Sequence, residues 1–340
     1  MSLEAIVRIV RNEVAGFSPE QLHLAFDEAG IDSFNLISIR ANIEQFVGEP
    51  LSDARWTAVK TVADIVGAVS GAGARPEAAQ EGHALVRRHM VGMPQMAMSG
   101  LSESWLFKEL GDIHWQMITD GLNCPSSELQ DGNGNRLYAT FTRISLQSRP
   151  LSSYRENSTL DMRGRIERFG GGIFFSRIDL TGGRAQIMSS FSMRGESGSN
   201  TSLLKGQPAI PPGCTIPSLP QMPEFGAAYK KVKAQPRGDA LFTTEYQIVP
   251  QYEINGVGLL YFAAYPMISD ICEARFGGMD DMSTTSRDIY YFSNSDPREA
   301  LVFRLHAREA DGRTQRAETS ISRKSDGALM ALIRTSREPA

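Results

Sequence analysis

The serine at position 33 has the surroundings of a residue that could carry a phosphate ester. Asp32 precedes it, and apolar residues follow at helical spacing, namely Leu36, Ile39, Ile43 and Phe46. This pattern predicts a helix that begins at Ser33. The first backbone N–H groups of a helix have no partner within it, and the helix dipole adds positive charge there, so a phosphate is favoured. The alternative interpretation is an ordinary helix capped by Asp32 or Ser33.

The elements around this serine predict a small helical domain over residues 1–72. Apolar residues at helical spacing in the first 14 positions predict one helix, and Thr61–Asp64 predicts the cap of a last one. Within this layout the run Gly30–Arg40 resembles the attachment site of an acyl carrier protein. The resemblance implies that a phosphopantetheinyl transferase attaches 4′-phosphopantetheine covalently to Ser33, and that the domain presents acyl thioesters.

The rest of the chain predicts two halves of similar plan. A stretch rich in Gly, Ala and Glu at 73–83 is typical of a linker. A proline-rich stretch near 196–225 divides residues 84–338 into halves of about 84–196 and 226–338. Each half predicts one helix and several strands with alternating apolar residues. The predicted fold class is therefore α+β, an N-terminal helical bundle followed by an antiparallel sheet domain.

One central helix wrapped by antiparallel strands is the hot-dog layout, and two copies make a double hot dog. The segment 84–338 resembles the leinamycin-type acyltransferase/decarboxylase family in Gly100–Glu103, Gly111–Trp115 and Asn255–Tyr265. The resemblance implies an enzyme that decarboxylates a malonyl- or methylmalonyl-type CoA ester. It would transfer the acyl group to the arm of its own carrier domain, as in polyketide-like biosynthesis.

Acyl-thioester chemistry needs hydrogen-bond donors at the thioester oxygen. In hot-dog enzymes the N-terminus of the central helix can supply them, which here implies the amides around Gly256 and Val257. Asn255 could orient a thioester oxygen or a carboxylate, and the alternative is a helix cap. The catalytic candidates are Tyr138, Asn255, Gly256 and Tyr261, and the candidates for the substrate pocket are Trp115, Val257 and Tyr265.

The tyrosines are candidates for hydrogen-bonding an enolate, although an interior position is the usual fate of such residues. Glu103 and His114 are expected to be structural rather than catalytic. We expect one functional pocket per chain, where the central helices meet the opposite half, with Asn255 and Gly256 facing Tyr138 or Trp115.

Two other functions remain open on the sequence. One is a hot-dog dehydratase or thioesterase that acts on carrier-bound acyl chains, and the other is a non-catalytic module that binds them. A dehydratase would need a histidine paired with an acid, and the sequence offers no convincing pair. A β-carboxyl thioester needs mainly desolvation and oriented donors to lose carbon dioxide. Because this reaction does not require a histidine–acid pair, the sequence favours decarboxylation.

The composition excludes several classes of protein. The chain has 41% hydrophobic residues and a net charge of −4, and the three cysteines are widely spaced, so neither a disulfide framework nor a metal site is expected. Residues 1–72 hold ten acids and five lysines and arginines. An acidic carrier that docks on an enzyme surface would have this charge.

The expected partners follow from the same patterns. The sequence has no nucleic-acid motif, no signal peptide and no long apolar run, so we expect a cytoplasmic protein without nucleic-acid or membrane partners. The expected partners are an acyl-CoA, a phosphopantetheinyl transferase, and a polyketide synthase or other carrier-dependent enzymes. A homodimer is compatible with the chain.

Overall fold

The structure is a computed structural model that describes residues 2–48, 51, 55–56, 58–69, 84–98, 100–195, 198–279 and 281–340. The linker predicted at 73–83 lies outside the described residues. Among the described residues, the helices are α1 Leu3–Glu13, α2 Ser33–Val47, α3 Ile65–Val69, α4 Glu103–Leu122, α5 Glu224–Ala234, α6 Pro250–Glu253 and α7 Ala264–Ala274.

The three N-terminal helices share one apolar core, because each turns its apolar stripe toward the others. Ile6, Ile39 and Ile65, one from each helix, are fully buried in it. Helix α2 begins at Ser33 as predicted. The Asp32 carboxylate accepts a hydrogen bond from the Asn35 N–H at 2.8 Å, and the Asp32 N–H donates to Asn35 Oδ1 at 3.0 Å. This reciprocal pair satisfies backbone groups that a helix end leaves free.

Most of the strands belong to one continuous antiparallel sheet. They are β1 Ala84–Met90, β4 Tyr138–Ser148, β5 Thr159–Phe169, β6 Ile173–Leu180, β7 Gly183–Met193, β8 Leu204–Gly206, β9 Phe242–Gln247, β10 Met282–Tyr291, β11 Ala300–Asp311, β12 Thr314–Arg323 and β13 Leu329–Pro339. Two short strands, β2 Met96–Ala97 and β3 Gly100–Leu101, pair only with each other among the described residues.

The sheet consists of two halves with the same internal order. From its outer edge inward, the first half has the strand order β1-β5-β6-β7-β4. The second half, also read from its outer edge inward, has the equivalent order β9-β11-β12-β13-β10. They meet where β4 pairs antiparallel with β10, with Ile144 opposite Ile289. In each half one helix, α4 or α7, follows the first strand and packs on the sheet. The predicted α+β class, with antiparallel strands around one helix in each half, is confirmed.

The two faces of the sheet carry separate apolar cores, because side chains alternate along a strand. In β6, Phe174 belongs to the core around α4 and α7, whereas Ile173 and Phe175 belong to a second core on the other face. Helix α5 supplies Tyr229 to this second core. The sequence analysis predicted no helix at this position, and α5 begins directly after Pro223, the last proline of the stretch near 196–225.

The N-terminal helices contact the sheet domain through α5 and the turn between β5 and β6. Phe34 and Ala41 of α2 lie in the same core as Tyr229. Gly170 in the turn has φ +57°, and a Cβ there would come within 2.5 Å of the Ala41 Cβ, so glycine permits the close approach. Glu13 forms an ion pair with Lys230, which adds a polar contact to the apolar ones.

Candidate active site

Two adjoining cavities lie where the halves meet. The Phe34 cavity, of about 300 Å³, extends from Phe34 past Thr140 and Ser192 to the loop before α7. The Trp115 cavity, of about 270 Å³, lies between α4, the start of β4 and the same loop. They share six lining residues, namely Ala139, Phe141, Asn255, Leu259, Tyr261 and Phe262. We call the two cavities together the cleft.

The loop 255–262 lies before α7, contributes lining residues to the cleft and is held by Asn255. Its side-chain oxygen accepts hydrogen bonds from the N–H groups of Val257 at 3.1 Å and Leu259 at 2.9 Å. Its backbone N–H donates to the Leu259 carbonyl at 2.9 Å. Asn255 therefore shapes this loop rather than capping a helix, which was the alternative considered for it.

The predicted donors at Gly256 and Val257 are not at a helix N-terminus. Helix α7 begins only at Ala264, with Ala263 as the capping residue, and Val257 N–H already donates to Asn255. Gly256 is exposed, and a Cβ added there would meet no atom within 4 Å. The expectation that these amides end the central helix is therefore wrong. Val257 lines the Trp115 cavity, whereas Gly256 is not among the described residues that line the cleft.

The tyrosine candidates are divided between the two cavities. Tyr261 is half-buried and lines both. Burial raises its pKa and the nearby Asp112 carboxylate raises it further, so the hydroxyl stays a hydrogen-bond donor. Tyr138 lines the Trp115 cavity, with the Arg136 guanidinium 5.3 Å from its ring centre. Tyr265 lines the Phe34 cavity from a buried position, and its hydroxyl donates to the Ser293 carbonyl at 3.4 Å.

The structure brings most of the predicted site residues together. Asn255, Tyr138 and Trp115 line one cavity, as the sequence analysis expected. The loop 255–262 packs against α4 at Gly111, because a Cβ at this position would come within 2.2 Å of the Phe262 ring. Only glycine lets the Phe262 ring lie against α4.

The residues expected to be structural have partners that explain them. His114 is fully buried between Ser176 and Ser189, at 2.6 and 2.8 Å from their hydroxyls. Burial lowers its pKa to about 3, so it is neutral at ordinary pH. Glu103 begins α4 and accepts hydrogen bonds from Arg287 Nε at 2.6 Å and Thr284 Oγ1 at 2.9 Å, which ties the two halves together.

Sequence analysis missed Asp112 as a candidate. Asp112 lines the Trp115 cavity, pairs with Arg87 Nη2 at 2.8 Å and keeps 63% of its side chain exposed. It is the one carboxylate among the described residues that line the cleft. Its spacing to Trp115, three residues on one helix, is a signal that could have placed both on one face.

Two lysines at the other end of the cleft were also missed. Lys205 of β8 donates to Ser190 Oγ at 3.2 Å, and Lys233 of α5 pairs with the Asp32 carboxylate at 2.6 Å. Both line the Phe34 cavity. Burial and the charge of Lys233 lower the pKa of Lys205 to about 8.

The N-terminus of α2, at Ser33, lies at the same end of the cleft as these lysines. Phe34, the next residue, is 5% exposed and its ring lies 4.7 Å from that of Tyr229. Both rings line the Phe34 cavity. The backbone at Ser33 is therefore next to the mouth of the cleft.

Two features are absent from the described residues. No group of three or more His, Cys, Asp and Glu side chains in the described part of the chain could hold a metal ion. No helix within the described ranges is both long and apolar enough to cross a membrane.

The comparisons with known proteins agree on the architecture. No protein-family model and no curated protein matches the sequence. Among solved structures, a protein assigned as an oleoyl thioesterase from Lactobacillus plantarum has a TM-score of 0.56 at 10% identity over 76% of this chain and 97% of its own. The 12:0-ACP thioesterase from Umbellularia californica has a TM-score of 0.54 at 10% identity, covering 76% and 94%. An acyl-ACP thioesterase from Bacteroides thetaiotaomicron has a TM-score of 0.50 at 12% identity, covering 75% and 98%. At these identities the likeness concerns the fold alone, and the antiparallel sheet with α4 and α7 has the hot-dog fold of these structures.

Proposed function

We propose that this protein is an acyl-thioester hydrolase that acts in its cleft on acyl groups carried by a 4′-phosphopantetheine arm on its own Ser33. The observation that carries the proposal is the position of Phe34. It follows the serine directly and lines the same cavity as Asn255 and Tyr261. An arm attached to Ser33 would therefore start beside the cleft.

The likeness of the fold to two acyl-ACP thioesterases supports hydrolysis over the decarboxylating transfer that the sequence resemblance implies. The substrates named for those proteins are acyl groups on a carrier protein. A carrier domain at residues 1–72, which the sequence resemblance implies, would provide such a substrate within the same chain.

The cleft offers the groups that hydrolysis needs. Donors for the thioester oxygen would be the Tyr261 hydroxyl and the Asn255 amide nitrogen, which donates no hydrogen bond to any described residue. Asp112 would take a proton from a water molecule as the water oxygen attacks the thioester carbon. The carbon–sulfur bond then breaks, the acyl group leaves as the free acid, and the proton passes to the arm's thiolate.

Decarboxylating acyl transfer is the second candidate, and the lining of the Phe34 cavity favours it. This cavity has hydroxyl, amide and ammonium groups but no carboxylate or histidine among its described lining residues. Such a site stabilises an enolate without supplying a base. The product, an acyl group on the arm, would serve polyketide-like biosynthesis, with a polyketide synthase or another carrier-dependent enzyme as the partner.

Intact-mass measurement separates these functions. The protein is incubated with a phosphopantetheinyl transferase and coenzyme A, or with its saturated-acyl and methylmalonyl derivatives. Ser33→Ala is the control for attachment. We expect a gain of one arm in the wild type alone, followed by loss of the saturated acyl group as free acid. A decarboxylated acyl group that stays on the arm would support the second candidate instead. An acyl group that stays unchanged would contradict both.

A further inference from the structure

Two positive charges line the Phe34 cavity next to the start of α2. Lys205 and Lys233 come from β8 and α5, and the nearby charge of Lys233 lowers the pKa of Lys205. No described carboxylate lies within ion-pair distance of Lys205. Lys233 has only one, Asp32, among the described residues.

Such an arrangement favours an anion. Two neighbouring ammonium groups at the edge of a partly enclosed cavity repel each other, and a bound anion removes that repulsion. The cavity has no carboxylate among its described lining residues to do so. Asp32, which is not among the lining residues, forms an ion pair with Lys233 but not with Lys205, so an anion that offsets the second charge has to come with the ligand.

The position of the lysines identifies the anion. Lys233 contacts Asp32, and the Asp32 carboxylate also acts electrostatically on Lys205. Asp32 is the residue before Ser33, so both ammonium groups lie close to the point where the arm would be attached. The group of the arm nearest to the serine is its phosphodiester, and the acyl group lies at the far end.

We propose that Lys205 and Lys233 bind the phosphodiester of the arm on Ser33 and thereby direct the arm into the cleft of the same chain. This inference rests on the proposed function. Both lysines are positioning residues, since they contact the arm and not the reacting thioester. The pantetheine portion then follows the Phe34 cavity, and the thioester reaches Asn255 and Tyr261, where the Trp115 cavity begins.

The test follows the arm itself. Ser33 is loaded from a coenzyme A derivative whose thiol carries a neutral, environment-sensitive fluorophore. In the wild type we expect emission at short wavelength, because the cleft shelters the fluorophore. In the double variant Lys205→Gln/Lys233→Gln the emission should shift to that of the free fluorophore in buffer. Discharge of an acyl arm should slow about tenfold or more, the effect expected for lost hydrogen bonds to a charged group.

Three controls separate the possible causes. Lys205→Arg/Lys233→Arg should keep the short-wavelength emission, and Lys108→Gln, on the exposed side of α4, should have no effect. Asp32→Asn removes the ion pair with Lys233 but keeps a residue that can cap α2. If the lysines bind phosphate, this variant keeps the wild-type emission. If Lys233 serves only to hold Asp32, the emission of the Asp32→Asn variant shifts as in the double glutamine variant, and the inference is wrong.

Two further measurements distinguish failure of the proposed function from failure of the role of the lysines. Raising the salt concentration on the unmodified sequence should shift the emission as the glutamine changes do, so the inference does not depend on one variant folding. Absence of any mass gain at Ser33 would contradict the proposed function itself. A loaded wild type whose emission equals that of the glutamine variant would overturn only the role of the lysines.

Discussion

The ring of Phe34 lies 4.7 Å from the ring of Tyr229, and this contact joins the N-terminal helices to the sheet domain at the mouth of the cleft. Phe34 follows the proposed attachment site, and Tyr229 belongs to the helix that also carries Lys230 and Lys233. The same contact would therefore fix the starting point of the proposed arm, and both rings line the cavity into which that arm would run.

The ion pair between Glu13 and Lys230 should help to keep the two parts together. Lys230→Glu places two acids in contact at a partly buried site, so we expect the N-terminal helices to separate and acyl discharge to slow about tenfold. Glu13→Lys combined with Lys230→Glu should restore the wild-type rate. Small-angle scattering measures the separation, and failure of the reversed pair to restore compactness would show that the contact is not electrostatic.

Asp112→Asn should reduce hydrolysis of the acyl arm by about 10²–10⁴-fold, the usual contribution of a general base. Loading of Ser33 should be unchanged, since Asp112 lies at the far end of the cleft. Quantifying free acid over time after loading tests this. Release of acid at the wild-type rate would remove Asp112 from the mechanism. Unchanged decarboxylation of a methylmalonyl arm would support the second candidate function.

The tyrosines of the cleft should differ in importance. Tyr261→Phe removes a donor that lines both cavities, and we expect acyl discharge to slow about 10²-fold. Tyr265→Phe should slow it much less, because this hydroxyl already donates to the Ser293 carbonyl. Single-turnover rates of the two variants give the comparison. Equal losses would place the thioester in the Phe34 cavity instead.

Two glycines near the cleft form a matched pair. Gly256→Val should fold and react as the wild type does, because a side chain there would point into open space. Gly111→Val should lower the free energy of unfolding by about 2 kcal/mol and slow discharge, because its side chain would collide with the Phe262 ring. Denaturant unfolding and discharge rates test both. A strong loss of activity in Gly256→Val would return that residue to the site.

Stability should fall in acid in a way that depends on His114. Above pH 6.5 the imidazole is neutral in the folded and unfolded chains and contributes no pH dependence. As the pH falls from 6.5 toward about 3, only the unfolded chain takes up the proton, which destabilises the fold by up to roughly 4–5 kcal/mol. The difference in unfolding free energy between the wild type and His114→Gln should therefore change across this range. A constant difference would contradict a neutral buried histidine.

Local patterns determined what could be predicted from the sequence. The start of α2 at Ser33 was predicted because Asp32 and the apolar spacing after it act within a few residues. Alternating apolar residues predicted several strands in each half; β7 is one of them, and the structure pairs it with β6 and β4. The loop 255–262 was misread as part of a helix entry, although Gly256 and Gly258 so close together favour a turn.

The missed residues are those that only tertiary structure brings together. Lys205 lies on a short strand within the proline-rich stretch, and Lys233 lies on the helix that follows its last proline. Asp32, from the N-terminal part of the chain, pairs with Lys233 and acts electrostatically on Lys205. Asp112 comes from one half of the sheet domain and meets Tyr261, which the sequence analysis did name, from the other half. Pairings over such distances in the chain have no local signal, since they depend on how whole elements pack.

The central claim is that the arm of one chain is served by the cleft of the same chain. The most direct test measures discharge of the acylated protein by intact mass at two protein concentrations about a hundredfold apart. We expect the same first-order rate constant at both, since the arm and the cleft belong to one molecule and their encounter does not depend on concentration. A rate that rises in proportion to concentration, or an acyl arm that never discharges, would contradict the account.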